Sequence, residues 1–487
     1  MGNSIKSQAI SGIKWSVVSR VYTTMISILQ IAILTRFLAK EDFGLMGIAV
    51  LVNAFCSIFV DMGMSTSAMH EQTLTKQQIS SFYWFNLLSG LVLSVLISAA
   101  SPIMASFYHR EELIGIISLS SISVFLNSIV GLQRTLQQKQ MNFHFMSLVD
   151  ILSSTVAFVI NVLMAVNGFG VYSLVWAQLL SGVLAAVAYL IVAIFKDKNI
   201  KIHFGISEIR SALQIGIYQV GTATLDFVSR EMDSFIISGN MSMDIFGVYT
   251  LFKNLTMKIY QVINPVVTNV LTPIFAKIQD EKERLSDAYK HTVEILSYID
   301  FPLYGIVAVC SYSIISILYG DSYGSYAFVL ACLAIYYAFQ SCGNPIGSLL
   351  IATGRTDRGF YWTIYRIIFT FLYLTIASSF ELNIFAIFVV FMPLLSAFPN
   401  WYLILRVIST VRFCDYLRVT LSSLFVCIPL FPLFFVDSMI NMPIVSLIIL
   451  PTLFLMGYYY INRIFRSKFQ ENIINLLSHT IHKDKNI

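Results

Sequence analysis

Lys40-Glu-Asp-Phe-Gly-Leu-Met-Gly-Ile-Ala-Val-Leu-Val-Asn-Ala-Phe-Cys-Ser-Ile-Phe-Val60 begins with three charged residues and then carries none as far as Val60. A helix crossing a bilayer needs about 20 mostly apolar residues, and this stretch continues into one span near 43–69. Comparable segments lie near 15–38, 80–107, 113–136, 145–166, 169–195, 211–239, 244–273, 291–319, 323–352, 359–379, 384–405, 416–436 and 441–462. That makes about fourteen spanning helices. The runs are continuous and lack the alternation of a membrane barrel. The fold class is therefore all-α integral membrane. The last two spans carry Pro429, Pro432, Pro443 and Pro451 and are the weakest of the series.

Composition agrees. Of 487 residues, 57% are hydrophobic and 12% charged, against roughly 25% charged in a soluble domain. So few charges could not cover a water-facing surface without aggregating apolar patches. The net charge of +5 is dispersed between apolar runs, which excludes the basic patch that nucleic acid requires. The six cysteines form no CxxC pair or metal spacing and are expected as small core hydrophobes. The first apolar segment, flanked by Lys6 and Lys14, is too long for a signal peptide.

Loop charge orients the chain. One set of alternate connections holds Lys76, Arg134, Lys139, Lys196, Lys198, Lys201, Arg210, Lys277, Lys282, Arg284, Lys290, Arg355, Arg358, Arg406, Arg412 and Arg418. Both chain ends are basic too, and the opposite set holds only Arg36, Lys40 and Arg110. Positive loops stay in the cytoplasm, so both termini are expected inside. Ile278–Lys290 has the pattern of an amphipathic surface helix, and the tail after Ile464 repeats that pattern.

A short duplication sets the expected organisation. Lys40-Glu-Asp-Phe-Gly44 opens the second span and Met243-Asp-Ile-Phe-Gly247 the eighth, and in a matching register Asp150 corresponds to Arg366. The expectation is two six-helix bundles related by a pseudo-two-fold along the membrane normal, with a cavity between them, plus a C-terminal helix pair. Residues 1–195 would form the first bundle, 196–210 a cytoplasmic linker, 211–410 the second bundle, 411–464 the extra pair and 465–487 a cytoplasmic tail.

Charges within the spans mark the candidate site, because an ion in hydrocarbon costs a few kcal/mol and must face protein or water. The seventh span holds Asp226, Arg230, Glu231 and Asp233; three of these, at i, i+4 and i+7, share a helix face. Lys253 and Lys258 lie in the eighth span, Arg20 in the first and Arg366 in the eleventh. Asp61 and Asp150 lie in the second and fifth, and Glu294 and Asp300 in the ninth. Arg20, Arg230, Lys253, Lys258 and Arg366 are candidates to bind an anionic group such as pyrophosphate, which guanidinium forks grip through paired hydrogen bonds. Asp61, Asp150, Asp226, Glu231 and Asp233 are candidates for ion coupling or charge pairing, with H⁺ and Na⁺ both open. Internal pairing, such as Asp226 with Arg230, and snorkelling of Arg20 are the alternatives.

There is no phosphate loop, HExxH or nucleophile elbow, and the seven histidines are dispersed. Nothing indicates a metal or cofactor, and enzyme function is disfavoured.

Phe59-Val-Asp-Met-Gly-Met-Ser-Thr-Ser67, Leu74-Thr-Lys-Gln-Gln-Ile-Ser-Ser-Phe-Tyr-Trp-Phe-Asn86, Gln137-Gln-Lys-Gln-Met-Asn-Phe143 and Gly168-Phe-Gly-Val-Tyr-Ser-Leu174 stand in order with the spans. So do Arg230-Glu-Met-Asp-Ser-Phe-Ile-Ile-Ser238, Phe246-Gly-Val-Tyr249 and Ala352-Thr-Gly-Arg-Thr-Asp357. Together they resemble bacterial polysaccharide repeat-unit flippases of the O-antigen, colanic-acid and teichuronic-acid exporter type, within the multidrug/oligosaccharidyl-lipid/polysaccharide superfamily. The resemblance runs from about residue 5 to 410, and Glu231 departs from the Asn often found there. It implies a flippase working by alternating access that moves undecaprenyl-pyrophosphate-linked glycan from the inner to the outer leaflet of the cytoplasmic membrane, with membrane lipids, a polymerase and a co-polymerase as partners. Tyr22, Tyr218, Tyr249, Tyr260 and Tyr365 would be available to stack on sugars. A cation-coupled drug or metabolite antiporter is the alternative. A membrane glycan polymerase or ligase is disfavoured because no large outer loop exists.

Overall fold

Hydrocarbon satisfies no backbone polar group, so a chain that crosses it folds into helices or closed barrels. The structure is a computed structural model that describes residues 2–465 apart from 72, 73, 198, 199 and 441. Among the described residues it contains helices and no strand.

In chain order the helices are α1 (Gly2–Leu34), α2 (Lys40–Asp61), α3 (Met64–His70), α4 (Lys76–Tyr108), α5 (Glu112–Lys139), α6 (Phe143–Val166), α7 (Tyr172–Ile191), α8 (Ile206–Asn240) and α9 (Met243–Lys277). They continue as α10 (Lys282–Val309), α11 (Ser311–Leu318), α12 (Ala327–Gly343), α13 (Pro345–Ala352), α14 (Thr356–Ala377), α15 (Leu382–Asn400), α16 (Arg406–Ile408), α17 (Phe413–Cys427), α18 (Leu433–Met439) and α19 (Pro443–Phe465). Among the described residues, twelve spans are long and apolar enough to cross a membrane, so the protein is a multi-pass helical membrane protein. The expected seventh and eighth spans correspond to α8 and α9. Each has 35 residues and carries the charges noted above, and neither is among the twelve apolar spans, so apolar length alone does not reach the expected fourteen.

The chain divides into two units, Met1–Leu251 with Thr363–Ser379, and Phe252–Trp362 with Phe380–Ile487. In the first, α4 packs along α5, α6 lies against α1 and α7, and α2 sits against α4, α5 and α8. In the second, α10 is central, flanked by α12, α17 and α19.

The expected span 43–69 is broken. Met62 (φ 40°) and Gly63 (φ 84°) adopt left-handed conformations between α2 and α3. The break fits against Gly216 of α8, where a Cβ would lie 1.7 Å from the Met62 carbonyl oxygen. Asp61 closes the corner: its carboxylate accepts the Ser65 backbone N–H (3.0 Å), the Ser65 hydroxyl and the Asn86 amide (3.1 Å). This accounts for a carboxylate at the end of an apolar helix by local hydrogen bonding.

The two copies of the short duplication touch. A Cβ at Gly44 would lie 2.3 Å from the Met243 carbonyl oxygen, and one at Gly247 would lie 2.0 Å from that of Lys40. The opening turns of α2 and α9 therefore cross backbone to backbone, reciprocally, within the first unit. Only glycine permits this approach, and it raises dispersion contact where no hydrophobic effect drives association.

The linker before α8 is tied to α4. Ser80 Oγ accepts the Lys201 N–H (2.9 Å), Ser81 Oγ accepts the Gly205 N–H (3.0 Å), and Trp84 Nε1 donates to the Lys201 carbonyl (2.9 Å). Glu208, ahead of the apolar part of α8, accepts from Ser81 and meets His203 at 3.0 Å. The Ser81 hydroxyl, then His203, hold its carboxyl below the usual range.

Two expectations change. Lys282–Lys290 is not a separate surface helix but the first turns of α10, with Leu285 and Tyr289 buried and Lys290 paired to Asp287 (2.8 Å). The amphipathic tail falls outside the described residues. The proline-rich end does fold: buried Asp437 of α18 accepts the Ser313 N–H (3.0 Å) and the hydroxyls of Ser313 and Ser446, joining α11, α18 and α19. Of the cysteines, Cys310, Cys332, Cys342 and Cys427 are buried, Cys56 is intermediate and Cys414 exposed.

Two outcomes are expected. Gly247→Val forces a side chain into the Lys40 carbonyl and should cost roughly 1–3 kcal/mol or more, read as lost monodispersity after heating in detergent. Gly239→Ala, with no atom within 4 Å of its added Cβ, should melt as wild type. Asp437→Ala strips three donors of their acceptor, and each hydrogen bond to a charged group contributes about 1.5–3 kcal/mol, so the same assay should show a larger loss.

Candidate functional site

The polar face of α8 has the composition of a site, because its charges recur at helical spacing. Asp226 and Arg230 are exposed side chains, while Glu231 and Asp233 are partly covered. Each ionic group on this face other than Asp226 and Arg230 is drawn toward protein. Glu231 accepts from Arg230 Nε (3.3 Å) and from Ser234 Oγ (3.3 Å). Asp233 accepts from the buried Tyr249 hydroxyl at 2.6 Å. Arg230 thus pairs with its neighbour Glu231, whereas internal pairing along the helix would have used Asp226.

Helix α14 completes the face within the first unit. Arg366 Nε donates to Ser229 Oγ, and Thr363 Oγ1 donates to Asp226 Oδ1 at 3.4 Å. Along the same helix Tyr365, Phe369 and Tyr373 stack one turn apart, with centroids at 5.6 and 5.4 Å and planes within 9° and 11°. The structure brings Asp226, Arg230, Glu231, Asp233 and Arg366 together. Both arginines are oriented through Nε. The paired terminal nitrogens are the part of a guanidinium that matches two phosphate oxygens.

The other candidates lie apart from this face. Asp150 receives both terminal nitrogens of Arg134, at 2.7 and 2.8 Å, across α5 and α6. Asp61 caps the α2–α3 break as described. Arg20 is an exposed side chain on α1. In the second unit, Lys253 is buried and Lys258 half-buried on α9. Of the candidate sugar-stacking tyrosines, Tyr22 bonds Thr155 (2.8 Å), Tyr218 is exposed, Tyr249 is buried on Asp233, and Tyr260 meets Tyr337 edge to face at 6.1 Å.

Sequence reasoning missed Ser229 and Thr363, for which no spacing signal exists, and treated Arg134 as a loop charge. The match of Arg134 to Asp150 had one available cue, a base and an acid placed symmetrically about one tight turn. No group of three or more His, Cys, Asp or Glu side chains able to hold a metal occurs among the described residues.

Comparison with known proteins agrees with this architecture. In solved structures the chain matches the lipid II flippase MurJ in an inward closed conformation, with a TM-score of 0.70 at 13% identity, covering 94% of this chain and 99% of that one. It also matches an inward-facing multidrug resistance MATE family transporter, with a TM-score of 0.62 at 14% identity, covering 78% and 93%. Among curated proteins, the teichuronic acid biosynthesis protein TuaB of Bacillus subtilis is 30% identical over 363 residues, 74% of each chain. The lipopolysaccharide biosynthesis protein WzxC of Escherichia coli is 24% identical over 378 residues, 76% of this chain and 75% of the relative. A family model described as polysaccharide biosynthesis protein matches residues 33–328. With that match over more than half its length and TuaB at 30% identity, the chain belongs to the polysaccharide biosynthesis protein family.

Proposed function

We propose that this protein is a flippase that carries polyprenyl-pyrophosphate-linked oligosaccharide repeat units from the inner to the outer leaflet of the bacterial cytoplasmic membrane, for surface polysaccharide synthesis. The observation that carries this is the α8–α14 face, where Arg230 and Arg366 stand among apolar helices with their Nε groups engaged. An exposed guanidinium on a membrane helix is stable only where water or an anion reaches it. An exposed Arg230 beside a half-buried Arg366 suits a pyrophosphate head, and the Tyr365–Phe369–Tyr373 stack is an aromatic surface suited to sugar rings.

The remaining expectations follow the same proposal. Both termini lie in the cytoplasm by the charge bias of the loops, the substrate is an undecaprenyl-pyrophosphate glycan, and a polymerase with its co-polymerase receives the product. The drug-antiporter alternative draws on the MATE likeness, yet that match covers less of this chain than the MurJ match does. The curated relatives are named for polysaccharide synthesis or transport.

The test is surface glycan in a strain depending on this protein. Arg366→Ala and Arg230→Ala should each reduce export about ten- to a hundredfold, the equivalent of one charge-assisted hydrogen bond of about 1.5–3 kcal/mol, at unchanged membrane level. Normal export by both variants would overturn the cationic-face mechanism. Dye resistance from overexpression, with unaltered glycan, would favour the antiporter.

A further inference from the structure

The second unit buries two carboxylates completely and treats them in opposite ways. Asp437 and Asp300 are each 0% exposed. Asp437 receives three hydrogen bonds. Asp300, in the middle of α10, meets no donor in good hydrogen-bond geometry, and the one donor facing it is the buried hydroxyl of Ser341 on α12. Around Asp437 this unit supplies donors. Around Asp300 it supplies an apolar wall: Phe301, Tyr304, Tyr337, Ala338 and Cys342 belong to the same core cluster.

An isolated ionised carboxylate in such a place costs far more than any single contact repays, so the group takes up a proton instead. The titratable neighbours do not change this. Tyr304 lies one turn on, and Asp300, Tyr337, Tyr260 and Cys342 all act on its hydroxyl. From α17 the polar group nearby is Ser423, already bonded to Ser297 at 3.1 Å. From α19 it is Tyr458, which donates to the Tyr298 carbonyl at 3.3 Å. These neighbours include no base and no second acid, and an acid–thiol–phenol group of this kind is a poor cage for a divalent ion.

The helices that hold the pair are both interrupted beside it. Pro302 removes the backbone bond that would have reached the Tyr298 carbonyl, the one now taken by Tyr458. On the other side, α12 ends at Gly343 and α13 begins at Pro345, with Asn344 alone between them, directly after Ser341 and Cys342. Cys342 also lines a small cavity with Phe339, Pro393, Leu394, Ala397 and Tyr416.

We propose that Asp300 is a proton-carrying site, its carboxyl protonated in the conformation described and losing that proton to water when α10 moves against α12. The O–H bond breaks, its electron pair stays on the carboxylate, and hydronium leaves; recovery of the buried state returns the proton. This deepens the transport proposal by naming what the cycle couples to, and only its export arm rests on that proposal.

Infrared spectroscopy of the full-length protein in lipid vesicles tests it. At neutral pH the wild type should show a carboxylic-acid C=O stretch that is absent from Asp300→Asn and shifts in heavy water. Asp300→Asn, which mimics the protonated form but cannot release a proton, should export surface glycan about tenfold less or worse at normal membrane level, with Asp300→Glu partly active. Absence of the wild-type band at neutral pH overturns the proposal, including the case where sodium chloride titration reveals a bound cation in its place. Wild-type export by Asp300→Asn overturns it too. The wild-type spectrum decides even if the variant fails to accumulate. A failure of the glycan proposal would appear in the Arg366→Ala result and leave the spectrum unchanged.

Discussion

A solvent that donates no hydrogen bond governs every polar group in this chain. Backbone groups meet the constraint by forming helices, and side chains meet it one at a time. Asp150 is gripped at both oxygens by Arg134, Asp61 by Ser65 and Asn86, Asp233 by Tyr249, and Asp437 by Ser313 and Ser446. Against that background the exceptions stand out. Arg230 and Asp226 remain exposed on α8 despite their contacts with Glu231 and Thr363, and Asp300 points inward, faced by the single hydroxyl of Ser341. These exceptions carry the two proposals, water at the exposed charges and a proton at the buried one.

Helix association in this setting depends on close packing rather than on release of water. The reciprocal Gly44 and Gly247 contacts and the seating of Gly216 on the α2–α3 break bring backbones together where any side chain would clash. Such contacts hold helices in place while leaving few directional bonds to break. Prolines then locate the bends. Pro302 frees a carbonyl that Tyr458 occupies, and Pro345 starts α13 after the break. Rigid crossings in the first unit and interrupted helices around Asp300 in the second give the chain firm pieces and defined joints, which alternating access requires.

The helical membrane class, the multiple crossings, the short duplication and the family resemblance are all legible in the amino-acid sequence. So is the importance of α8, because Asp226, Arg230 and Asp233 recur at helical spacing. The break at Met62-Gly63 is not read from the sequence, although Asp61 and the polar Gly63-Met-Ser-Thr-Ser67 lower the hydropathy there. The separate surface helix expected at 278–290 fails because an amphipathic pattern describes the wet end of a spanning helix as well as it describes a surface one. Ser229 and Thr363, the residues that orient Arg366 and meet Asp226, carry no pattern at all.

The order of residues alone dictates which segments are apolar and helical, because transfer into hydrocarbon adds up residue by residue along a local stretch. The state of each buried charge is settled only when the helices pack. Asp150 finds its arginine 16 residues away, Asp437 its donor 124 residues away, and Asp300 is faced by one hydroxyl, that of Ser341. The reason is physical: a side chain at a given depth can be paired only by the helices that lie beside it, and hydropathy carries no record of which helices those are.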